Sequence, residues 1–143
     1  MNLFSNIQWW LVFKALNDEL GPKVLPALQE ALGRHMNVAE AEKSAGNVNW
    51  WKIQEACMVA VHAYRELILE SEEQFDLLNY LTLVRNWLNH QECPHLVGRA
   101  LWTLSTYSKS KLFNPQMLEE ILNVTLQSLQ PDKSIVLKIS AVR

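Results

Sequence analysis

Apolar residues return every third or fourth position along almost the whole chain, the spacing that gathers them on one side of an α-helix. A first helix is predicted from Ile7 to about Asn17, with Trp9, Trp10, Phe13 and Leu16 or Leu20 turned inward. Gly21-Pro22 ends it, because glycine accepts the left-handed cap and proline suits the first turn that follows. A second helix runs from Pro22 to about Ser44 on a stripe of Val24, Leu25, Leu28, Leu32 and Met36. Gly46-Asn47 breaks the pattern. A third helix, Val48 to about Glu70, carries Trp50, Trp51, Ile53, Cys57, Ala60, Tyr64, Leu67 and Ile68. The fourth, Phe75 to about His90, turns Leu77, Leu78, Leu81, Val84, Trp87 and Leu88 inward. Pro94 opens a fifth, with Leu96, Val97, Ala100, Leu101 and Leu104 inward. Asn114-Pro115 opens a sixth as an N-cap followed by proline at the first position. Its stripe is Met117, Leu118, Ile121, Leu122, Thr125, Leu126 and Leu129. After Pro131-Asp132 a seventh helix begins at Ile135 and runs to Arg143. No pair of strands joined by a tight Asn-Gly or Asp-Gly turn is legible.

The expected fold class is therefore all-α. The helices also pair: second with third, fourth with fifth, sixth with seventh. That divides the chain into an N-terminal helix over 1–21 and a repeat segment over 22–143, with hairpins at about 22–70, 75–108 and 114–143. The second helices of the pairs share a local pattern. Aligning Glu55, Arg99 and Lys138 gives offsets of 44 and 39 residues and puts a small residue one or two places later, at Ala56, Ala100 and Ser140. Such a period suits two-helix HEAT units, in which small residues let neighbouring hairpins stack closely. The expectation is an α-α superhelix, a HEAT/armadillo-like solenoid of about three hairpins. A closed helical bundle is the competing arrangement. The chain stops within a helical pattern at Ala141-Val142-Arg143, which favours a slice of a longer array.

Composition narrows the chemistry. The 143 residues are 49% apolar and 20% charged, with a net charge of −2, so no general affinity for nucleic acid or an anionic membrane is expected. Two cysteines make no disulfide framework and read as reduced thiols. No signal peptide or membrane-spanning run is legible. The sequon Asn123-Val124-Thr125 falls inside a helical pattern and is read as unused.

Candidate chemistry is sparse. His90, Cys93 and His95 cluster at a helix–helix turn but supply three ligands where a structural zinc site needs four. Cys57 and His62 lie five apart, so they do not share a helix face as i,i+4 residues do. No phosphate-binding loop, dinucleotide fingerprint, nucleophile elbow or zinc-protease motif is present. No enzyme and no cofactor or metal is expected. Six tryptophans are unusual for this length. Trp50, Trp87 and Trp102 sit on apolar stripes as core, whereas Trp9, Trp10 and Trp51 cannot all point inward.

The run Trp50-Trp51-Lys52-Ile53-Gln54-Glu55-Ala56-Cys57-Met58 resembles the importin-β superfamily. So do Gln29-Glu30-Ala31, Ala39 to Lys43, Leu96-Val97-Gly98-Arg99-Ala100-Leu101-Trp102 and the final Lys138 to Arg143. The resemblance covers roughly residues 22–143 and fits the middle repeats of proteins several times longer. It implies a HEAT solenoid serving as a nuclear transport receptor. Such a receptor binds basic protein cargo such as histones and ribosomal proteins on its concave face, touches phenylalanine-glycine nucleoporins on its convex face, and releases cargo to Ran-GTP. It shuttles between cytoplasm and nucleus through the nuclear envelope. The family's N-terminal Ran-binding repeats are not matched here.

Charge is distributed unevenly. Asp18 to Glu92 holds twelve acids and six bases, while Cys93 to Arg143 holds three acids and six bases. An acidic inner surface would steer basic cargo. Lys52, Glu55 and Arg99, on the helices that would line the concave face, are the candidate contact residues. A stand-alone helical-repeat scaffold for a protein complex unrelated to transport remains the alternative.

Overall fold

The computed structural model describes residues 3–142, with side chains from residue 11 onward. Trp9 and Trp10, expected on the inner side of the first helix, lie outside the described side chains. Eight α-helices follow in order: α1 (Leu3–Leu20), α2 (Val24–Ser44), α3 (Trp50–Ala63), α4 (Arg65–Glu70), α5 (Leu77–Trp87), α6 (Pro94–Thr106), α7 (Pro115–Ser128) and α8 (Ile135–Val142). No strand occurs among the described residues.

The punctuation is where local chemistry demands it. Gly21 has φ +53° and Gly46 has φ +80°, left-handed conformations that glycine adopts without a steric cost. Between α1 and α2 lies one tight turn, Gly21–Lys23, so α2 begins two residues later than the proline suggests. Asn114 caps α7 by accepting from the Met117 amide at 2.8 Å, and Asp76 caps α5 by accepting from the Asn79 amide at 3.2 Å.

The third predicted helix is two. At Tyr64 (φ −102°, ψ 14°) the amide bonds to the Val61 carbonyl at 3.2 Å, one residue short of the α-helical partner, and the axis breaks. The Tyr64 ring is buried and packs edge-on against Phe13 of α1, with centroids 5.5 Å apart. A residue on a continuing amphipathic stripe carries no signal of that turn.

The hairpins pair as expected: α2 with α3, α5 with α6, and α7 with α8. Beyond those pairs, α6 packs against both α3 and α8. The chain is thus a two-layer stack, with α2, α5 and α7 opening the hairpins and α3, α6 and α8 forming a second layer that ties them together. This is an all-α helical-repeat solenoid. No helix is long and apolar enough to cross a membrane.

Burial follows the stack. In α6, Leu96, Val97, Ala100, Leu101 and Leu104 are all buried, as expected. In α3 the inner side is wider than the stripe: Gln54, Met58 and Val61 are buried as well, because α2 and α6 flank the helix. The edges differ. Leu16 and Leu20 of α1 are exposed, and among the described side chains of that helix Phe13 is the apolar one packed against the core. Leu78 of α5 is 51% exposed, and in α7 Leu118, Leu122, Leu126 and Leu129 all face outward. Of the α7 stripe only Met117 is fully buried, with Ile121 and Thr125 half-buried.

Candidate functional site

The repeat offset read from the sequence reappears as contact. The Trp51 and His95 rings stack at 5.4 Å and 10° between planes. One turn on, the Arg99 Nε and Nη2 groups both donate to Glu55 Oε1, at 3.2 and 3.0 Å. Two turns further, His62 lies against Trp102, ring centroids 4.0 Å apart, and its Nδ1 is 3.4 Å from Thr106 Oγ1. Trp51–His95, Glu55–Arg99 and His62–Thr106 are each 44 residues apart. One face of α3 thus meets one face of α6 in a single register. At the far end the buried Tyr107 hydroxyl donates to the Val61 carbonyl at 3.1 Å.

The second junction is built differently. A Cβ placed on Gly98 of α6 would stand 2.5 Å from Ser140 Oγ and 3.2 Å from its Cβ, so α8 approaches as closely as glycine permits. Ser140 was expected among the small stacking residues and does stack. Ala100 is fully buried, but Ala56 is exposed, so that member of the alignment does no stacking.

Of the three candidate contact residues, Glu55 and Arg99 are paired to each other and remain about a third exposed, at 28% and 32%. Lys52 is exposed, with its ammonium 5.8 Å from the Trp51 ring centre. Arg99 also lies over the Trp102 ring at 4.8 Å. Trp102 is therefore half-buried under a cation rather than core, while Trp50 and Trp87 are buried as expected. A cavity of about 260 Å³ opens here, lined by Glu55, His95, Gly98, Arg99, Trp102 and by residues of α8. A second of about 230 Å³, mostly apolar, lies between α6, α7 and α8.

Electrostatics set the second layer apart from the rest. The acidic side chains Glu66, Glu70, Glu72, Glu73 and Asp76 are all exposed at the α4–α5 connection, not along the α3–α6 face. His62 has its pKa lowered, first by burial and then by the nearby Arg65 and Arg99 charges. At the opposite turn, His90 Nδ1 sits 2.8 Å from Glu92 Oε1, which helps hold that carboxyl below its ordinary range.

His90, Cys93 and His95 are not drawn together; His90 engages Trp50, Lys43 and Glu92, while His95 turns to Trp51. No group of three or more metal-binding side chains occurs among the described residues. The Cys57 thiol is buried and pushed up to about 11 by desolvation, which suppresses the thiolate.

Fold and surface together define a helical-repeat segment whose half-exposed aromatic and charged ladder suits recognition of another macromolecule. No family model matches the chain. The chain is 69% identical over 132 residues, 92% of its length, to importin-9 of Drosophila melanogaster, and it spans 13% of the length of that relative. That likeness extends over nearly the whole of this chain.

Proposed function

We propose that this chain is a HEAT-repeat segment of a nuclear import receptor that binds basic protein cargo, with histones and ribosomal proteins as the class. In this reading the receptor carries cargo through the pore by contact with phenylalanine-glycine nucleoporins and surrenders it to Ran-GTP, shuttling between cytoplasm and nucleus. The segment acts as an adaptor, without catalysis or cofactor. The observation that carries this reading is the 69% identity to importin-9 over 92% of the chain. The exposed carboxylates from Glu66 to Asp76 support it, since a cluster of one sign raises the encounter rate with a partner of the other. Lys52, Glu55 and Arg99 are the contact residues assigned to the second-layer face.

The test is a pull-down of core histone dimers by the purified chain at low and at physiological salt. Binding that weakens with salt, and weakens further when Glu70, Glu72 and Glu73 are changed to Gln, is the expected result. Absence of histone capture at low salt would overturn the cargo reading and favour a helical scaffold that serves another complex.

A further inference from the structure

The Arg99 guanidinium is held but not used up. An arginine presents five N–H donors on two recognition edges. Glu55 occupies the Nε–Nη2 edge through a single oxygen, and Nη1 has no partner among the described residues. Trp102 lies beneath the guanidinium plane at 4.8 Å, which limits the positions the fork can take. Arg99 lines a cavity of about 260 Å³ with walls from three successive hairpins: Glu55 on α3, His95, Arg99 and Trp102 on α6, and Val136 and Ser140 on α8. Its wall at Gly98 has no side chain to intrude.

Arg99 and Glu55 are the charged residues of the lining and balance each other, and His95 adds a ring one turn from Arg99. The one carboxylate of the lining is already held by Arg99. A basic side chain entering here would find no free carboxylate in the lining, whereas a second carboxylate would find an oriented donor pair. The half-buried Trp102 in the lining provides apolar surface for the stem of an extended segment.

We propose that this cavity binds an acidic side chain of an extended protein segment, its carboxylate accepted by the open Nη1–Nη2 edge of Arg99 while Glu55 keeps the other edge. The ligand class is a linear peptide bearing Asp or Glu beside an apolar or aromatic residue. This goes beyond the basic-cargo reading: it rests on the contact role that reading gives Glu55 and Arg99, assigns them an acidic ligand, and leaves basic cargo to the exposed carboxylates from Glu66 to Asp76. Glu55 both orients the fork and competes for it, so it acts as a positioning residue. Bidentate arginine–carboxylate pairing is the strong form of such contacts.

The experiment is fluorescence anisotropy with a labelled, end-blocked peptide of about twelve residues repeating Glu, Ser and Phe. Matched peptides carry Gln or Lys in place of Glu, and all are titrated with the purified chain. The Glu peptide is expected to bind at least about tenfold more tightly than either control. Arg99→Gln should remove that preference, with the thermal melt reporting that the chain remains folded. Glu55→Gln should strengthen binding by about threefold, since it removes the competing charge. A purely structural role of the pair would instead make both variants weaker binders. Equal binding of the Glu and Gln peptides, preference for the Lys peptide, or weakening by Glu55→Gln each overturns the proposal. The histone pull-down is read on Glu70, Glu72 and Glu73, so failure of one test leaves the other standing.

Discussion

The two junctions of the second layer solve one problem with opposite chemistry. Between α3 and α6 the contact is a ladder of large polar and aromatic side chains, Trp51–His95, Glu55–Arg99 and His62–Thr106 in a 44-residue register, with Trp102 against the His62 ring. Between α6 and α8 side chains are cleared away, and Gly98 lets Ser140 come against the helix. A wide junction leaves side chains half-exposed and available to a ligand. A tight junction spends its surface on packing. The helix shared by both is consequently covered on nearly every side, whereas α7, at the edge, leaves a row of leucines outward.

The largest effect should follow from that last contrast. Leu104 of α6 is 1% exposed and Leu122 of α7 is 57% exposed, though both sit on equally regular apolar stripes. Leu104→Ala is expected to cost about 2–5 kcal/mol in urea unfolding, the transfer loss plus a cavity. Leu122→Ala should stay within about 0.5 kcal/mol. Comparable losses at the two sites would mean that α7 has a covered face in solution.

Next comes a direct attack on the tight junction. A side chain on Gly98 cannot coexist with Ser140 where it stands, so Gly98→Val is expected to cost about 1–3 kcal/mol by overpacking. The matching change at the wide junction is milder. A double-mutant cycle on Glu55 and Arg99, both about a third exposed, should return a coupling of no more than about 1 kcal/mol. A neutral Gly98→Val would show that α8 moves away freely, and the distinction between the junctions would fall.

How much of this was legible depends on whether the cause was local. Asn114-Pro115, Gly21 and Gly46 announce themselves because a cap or a positive φ is a requirement of one or two residues. All five predicted positions of α6 are buried, with Gly98 and Thr103 beside them, since α3, α5 and α8 surround the helix. The α7 stripe had the same pattern, yet Leu118, Leu122 and Leu126 remain outside, because periodicity states which residues share a face and not whether anything covers it. The break at Tyr64 and the burial of Gln54 and Met58 depend on Phe13, α2 and α6 arriving from elsewhere in the chain. At the candidate surface, the 44-residue alignment of Glu55 with Arg99 was visible, but their pairing was not. Only the stacked geometry turns two separate candidate contacts into one oriented fork. The acidic excess of the first half was visible too, as was its solvated stretch from Glu66 to Asp76, while the absence of that stretch from the α3–α6 face was not.

The smallest effect sharpens the contrast through pH. The wide junction carries histidine rings in its contact, His95 on Trp51 and His62 beside Trp102, Thr106 and the Arg99 charge. Gly98, Val136 and Ser140, across the tight junction, do not titrate. Burial and the Arg65 and Arg99 charges lower the His62 pKa in the folded chain below its ordinary 6.5. Below that value the unfolded chain therefore binds more protons than the folded one, and stability falls with falling pH. The stabilising difference is fully present above about pH 6.5 and is lost as pH drops toward the folded-state pKa. Because the ring is only half-buried, solvent screening keeps the effect small, on the order of a degree in Tm between pH 7.5 and 5.5. His62→Gln should flatten that slope. Arg99→Gln should reduce it, and Ser140→Ala should leave it alone. A slope that survives His62→Gln would belong to the His90–Glu92 turn instead, and proton sensitivity would then lie outside the junction that the ladder builds.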